Sequence, residues 1–62
     1  PAEAIRRVRL ERASRLLAET DMPIPKVAAS SGFGSREYFA RAFRMQTGLS
    51  PRQYRNRVQA RA

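Results

Sequence analysis

The residues of this chain best equipped for chemistry lie between positions 35 and 55. Ser35, Arg36, Glu37, Ala40, Arg41 and Arg44 fall in one segment, and Ser50, Arg52 and Arg55 in the next. Guanidinium groups dominate the set. A guanidinium stays charged and donates its N–H groups from a rigid planar fork, which matches a phosphate or the acceptor edge of guanine. The bias runs through the whole chain. There are 13 Lys+Arg against 5 Asp+Glu on 62 residues, a formal charge of +8, and every basic residue except Lys26 is an arginine. That balance is the footprint of a nucleic-acid partner. It is also compatible with a solvated basic surface that keeps a small protein in solution.

Other chemistries are poorly supplied. The chain has no cysteine and no histidine, which removes thiol catalysis, disulfides, the usual zinc ligands and an imidazole base. The few carboxylates show no pairing suited to acid–base work. No enzyme activity, catalytic residue, metal or cofactor is expected. No apolar stretch approaches the roughly 18 residues of a membrane span, and no signal peptide is visible. A cytoplasmic protein without a membrane partner is the expectation.

The elements that must hold these residues are helices. Short breaks at Thr20 to Pro23, Gly32 to Gly34 and Gly48 to Pro51 divide the chain into four segments and leave no room for a sheet. The expected fold is all-α, one domain over 1–62, with helices at about 2–20, 24–31, 35–47 and 51–59. The first segment is rich in Ala, Leu, Arg and Glu, good helix formers. Its apolar residues make two offset bands: Leu10, Ala13, Leu16 and Leu17 on one side, Ile5 and Val8 on another. A helix on a single core normally shows one stripe, so the second band suggests a second packing partner; a frayed, loosely amphipathic N-terminus is the alternative. In the second segment Ile24, Val27 and Ala28 share a face. Pro25 is tolerated in a first turn. Pro23 has no side-chain cap to offer, which leaves Asp21 or Thr20 to cap that helix. Gly32 suits the left-handed position that ends it, and Phe33 reads as a core plug.

The third helix carries the argument. Ser35 is a fitting N-cap. With Arg36 set at 0° and about 100° per residue, Ala40 falls near 40°, Arg44 near 80°, Glu37 near 100° and Arg41 near 140°. Tyr38, Phe39, Ala42 and Phe43 occupy the opposite arc. One face is charged with a small alanine in it; the other is aromatic and forms the core around Phe39 and Phe43. A small residue lets a helix approach a groove closely and can touch a thymine methyl. By spacing alone the charged face is equally a solvated one, with Glu37 and Arg41 paired at i, i+4. The last helix opens with Ser50-Pro51-Arg52-Gln53, a capping box with proline at the first helical position. Leu49 and Tyr54 are expected to pack back on Phe39 and Phe43. Ser50, Arg52, Arg55 and Arg57 are candidates for phosphate contact, and Arg57 and Arg61 read equally as a solvated tail.

The stretches GFGSREYFARAFR at 32–44 and GLSPRQYR at 48–55 closely resemble the C-terminal DNA-binding signature of the AraC/XylS family of bacterial transcription regulators. RLERASRLLAET at 9–20 is similar to the long helix that links the two helix-turn-helix units of that family's DNA-binding domain. The resemblance covers about residues 9–55. It implies a linker helix over 1–20, a helix-turn-helix over 24–47 and a closing helix over 50–59. It implies base contacts from Arg36, Glu37, Ala40 and Arg41 on double-stranded DNA; beside them, the helix N-termini at Ser35 and Ser50 and the arginines Arg44, Arg52 and Arg55 are the candidates for phosphate contact. It further implies an upstream helix-turn-helix unit beyond this sequence, and in the whole regulator contact with RNA polymerase and an effector-binding domain. Two rivals stand beside it. A basic RNA-binding module would favour lysine or exposed stacking aromatics, and a protein-interaction module would dock its charged face on an acidic partner.

Overall fold

The computed structural model of the chain describes residues 2–60. Four helices follow one another: α1 (Ala2–Glu19), α2 (Ile24–Ser30), α3 (Arg36–Thr47) and α4 (Pro51–Ala60). No strand occurs among the described residues. Ser31 and Ser35 stand outside the helices as caps rather than inside them, and α4 runs on to Ala60. Arg61 lies outside the described residues.

Each boundary has a local cause. Pro23 caps α2 through its backbone alone: its carbonyl accepts from the N–H groups of Lys26 and Val27, both at 2.9 Å. Neither Asp21 nor Thr20 takes the cap. A capping side chain normally accepts from the second or third helical N–H; the second position here is Pro25, which has none, and the third, Lys26, is already bound by the Pro23 carbonyl. Thr20 closes α1 instead. Its hydroxyl donates to the Leu16 carbonyl at 2.6 Å and accepts from the Met22 N–H at 3.2 Å.

At the end of α2 the Phe33 N–H reaches the Ala28 carbonyl (3.0 Å) and the Gly32 N–H reaches that of Ala29 (3.2 Å). This pair of bonds needs a left-handed residue just beyond the helix, and Gly32 supplies it at φ 89°. The Ser31 hydroxyl is buried there without a hydrogen-bond partner. In α3 the Ser35 hydroxyl accepts from the Tyr38 N–H at 3.0 Å. Gly48, at φ 82°, ends the helix with its N–H on the Arg44 carbonyl at 2.7 Å. The capping box of α4 forms in full: Gln53 N–H to the Ser50 hydroxyl and Ser50 N–H to the Gln53 side chain, both 3.1 Å.

The core is a cluster of Leu10, Ala13, Leu17, Val27, Ala28, Phe33, Phe39, Ala42 and Phe43. An aromatic chain runs through it. Ring centroids are 5.1 Å apart for Phe33 and Phe39, 5.7 Å for Phe39 and Phe43, and 5.2 Å for Phe43 and Tyr54. These spacings suit tilted and edge-on aromatic pairs. Ile24 and Tyr54 are half-buried against the cluster. Leu49 was expected in the core but is only half-buried and outside the cluster, because the turn after Gly48 carries it toward the edge. Ile5 and Val8, the offset band of α1, remain exposed at 54% and 65%.

The C-terminus of α1 has no basic residue in its own last turn, yet its final carbonyls need donors. α4 provides them from across the fold. Arg55 donates from Nε to the Leu17 carbonyl and from Nη2 to that of Thr20, and Gln59 Nε2 reaches both, all at 3.2 Å. A charged donor there also answers the negative end of the helix dipole. Arg55→Ala should therefore destabilise the protein by about 1.5–3 kcal/mol, the range for hydrogen bonds to a charged group. A chemical denaturation curve measures it; an unchanged midpoint would show that the brace contributes nothing.

Candidate nucleic-acid interface

The candidate interface is built on α3. Phe39, Ala42 and Phe43 bury one side of it, so the helix is fixed about its own axis and the other side is held outward. Arg36, Glu37, Arg41 and Arg44 are exposed there, with Ala40 half-buried among them. The sequence-derived division into a charged and an aromatic face holds with one correction. Tyr38, placed with the aromatics, is 46% exposed, because it lies at the rim of the buried arc, with its ring against Phe33 at 5.5 Å between centroids.

Charge pairing does not consume the face. Among the described residues one ion pair forms, Arg36 Nη2 to Glu37 Oε2 at 4.0 Å, between side chains 63% and 81% exposed. A pair so long and so wet contributes little. The i, i+4 pair of Glu37 with Arg41 does not form. Arg41 and Arg44 thus project into solvent without a carboxylate beside them, and Glu37 sits in the first turn of α3, where the helix dipole favours it.

Ser35 and Ser50 spend their hydroxyls on caps. What they leave for an anion are the first backbone N–H groups of the helices they start: those of Arg36 and Glu37 in α3 and of Arg52 in α4. Such groups have no partner inside a helix and can hold a phosphate oxygen. Arg52 and Arg57 are exposed on α4. Arg55 is not, since its guanidinium is turned inward on α1. The sequence signalled an arginine at that position but not its direction, because the acceptors lie 35 to 38 residues away. Gln59 passed unnoticed for the same reason. So did Arg9 of α1, whose side chain covers the turn: a Cβ added at Gly32 would sit 3.0 Å from its Nε.

This arrangement meets a clear set of relatives. Residues 1–57 match the family model described as a helix-turn-helix domain. The chain is 42% identical over 55 residues to an HTH-type transcriptional regulator of Mycobacterium tuberculosis, covering 89% of this chain and 21% of that protein. It is 41% identical over 54 residues to a probable transcriptional regulator, LumQ, of Photobacterium leiognathi, covering 87% and 22%. It is 43% identical over 47 residues to the arabinose operon regulatory protein of Escherichia coli, covering 76% and 16%. No solved structure matches it significantly. The chain spans about a fifth of the length of the curated relatives it matches. With the capped turn, the buried aromatic backing and the exposed basic face of α3, this match settles the family: the chain belongs to the AraC-type helix-turn-helix family of transcriptional regulators.

Proposed function

We propose that this module reads double-stranded DNA with α3 in the major groove, as part of a larger bacterial transcription regulator. The observation that carries the reading is the exposed face of α3, basic and backed by Phe39 and Phe43, which are fully buried. Arg36 and Arg41 read base edges, Ala40 lets the backbone approach, and Glu37 accepts from a cytosine amino group. Arg44, Arg52 and the N-termini at Ser35 and Ser50 set the register on phosphate. Arg55 is left out of the phosphate set, since its guanidinium braces α1. The mechanism is recognition without catalysis. The RNA-binding rival is weakened because the aromatics form no stacking platform: three of the five are buried, Tyr54 packs on Phe43, and Tyr38 alone is exposed.

The exposed Ile5 and Val8 band on α1 is the seat of an upstream helix-turn-helix unit. Contact with RNA polymerase in activation, an effector-binding domain and a place in the cytoplasm belong to the full regulator. No helix among the described residues is long and apolar enough to cross a membrane.

One recognition helix offers only about 600–1,000 Å² of interface. Alone, the 62-residue chain should bind duplex DNA weakly, with steep salt dependence and little sequence preference. Restoring the upstream unit should add specificity. Titration against a cognate and a scrambled duplex at two salt concentrations checks both statements. Strong discrimination by the monomeric chain would overturn the missing unit, and binding indifferent to salt would overturn the DNA interface.

A further inference from the structure

Tyr38 has a position that neither the core nor the base-reading set explains. It is 46% exposed, although tyrosine is well suited to burial and a buried aromatic arc lies beside it. Its backbone N–H is held by the Ser35 cap at 3.0 Å, which fixes it in the first turn of α3. Its ring stands edge-on to Phe33, at 5.5 Å and 62°, and Phe33 is itself buried at 6% exposure. The side chain is therefore anchored at its base and along one flank. Its hydroxyl makes no hydrogen bond among the described residues.

The helical period places Tyr38 about 60° beyond Arg41 and about 100° beyond Glu37 around the axis. It borders the charged face on the side opposite Arg36. A helix lying in the major groove presents its central face to base edges and its two flanks to the sugar-phosphate walls. Tyrosine hydroxyls are among the ordinary donors to phosphate oxygens.

We infer that Tyr38 is a phosphate-contact residue of the interface, its hydroxyl donating to a phosphodiester oxygen on the wall of the groove beside Arg41. The inference rests on the DNA-binding reading above. Tyr38 orients α3 from the flank beyond Arg41. Pinned by Phe33, the ring loses little freedom on binding, so the contact stabilises one orientation of the helix. The contact is neutral and displaces no condensed counterion of its own.

Tyr38→Phe removes the hydroxyl and keeps the ring. Titrations of the parent chain and of Tyr38→Phe against two unrelated duplexes at two salt concentrations, with thermal melts alongside, provide the test. The expected result is an affinity loss of about three- to tenfold, the effect of one net hydrogen bond. The loss should be equal on both duplexes, with the salt slope and the melting temperature unchanged. Binding equal to the parent's overturns the inference and leaves the DNA interface standing. A loss confined to one duplex makes the hydroxyl a base contact and also overturns it. A parent chain that fails to bind either duplex overturns the DNA reading, and the inference with it.

Discussion

Phe39→Ala should leave this protein largely unfolded. Phe39 has no exposed surface and touches the rings of both Phe33 and Phe43. Truncating a buried phenylalanine costs about 3–5 kcal/mol, through lost transfer energy and the cavity left behind. A domain of this size has little to spare, since stabilities run at about 0.05–0.15 kcal/mol per residue. Phe43→Ala should behave alike, as it also lies between two rings and links the core to Tyr54 of α4. Circular dichroism at 222 nm through a thermal ramp measures the effect. If Phe39→Ala kept its fold and lost only DNA binding, the two faces of α3 would have been assigned the wrong way round.

Arg41→Ala should do the opposite: spare the fold and damage recognition. The side chain is exposed, carries no ion pair among the described residues and contributes nothing to the aromatic cluster. In the full regulator on its own site, the substitution should cost about 1–3 kcal/mol and relax the preference at one base pair. Binding to random DNA should weaken much less. Competition titrations with a panel of single-base-pair variants of the site separate these effects. Equal losses on specific and random duplexes would mean that Arg41 holds only phosphate.

Much of the fold was legible because its stop signals are local. Gly32, Ser35, Gly48 and the Ser50-to-Gln53 box each act within a few residues, and each does in the structure what its chemistry dictates. The two faces of α3 follow from period and residue type alone. What the sequence concealed depends on contacts between distant segments. Arg55 carries the same charge as Arg52, and only the docking of α4 against the end of α1 makes one a brace and leaves the other in solvent. Tyr38 shows the limit of angular reasoning. At about 100° per residue it falls at the rim of the aromatic arc, and the positions of neighbouring helices decide whether such a residue is covered. At Pro23 the expectation of a side-chain cap failed because Pro25 has no N–H to offer and the next donor, that of Lys26, is already held by the Pro23 carbonyl. Spacing leaves a solvated charged face and a recognition surface equally open, and the family resemblance favours the second.

The central claim is that duplex DNA lies against the exposed face of α3. Two-dimensional amide NMR of the isotopically labelled chain, titrated with a short duplex at low salt, tests it residue by residue. The largest shifts should fall on Arg36, Glu37, Ala40 and Arg41. Smaller ones are expected at Ser35, Arg44, Ser50 and Arg52, and Ile5 and Val8 should stay where they were. Shifts centred on α1, or a spectrum in which α3 does not respond, would contradict the account.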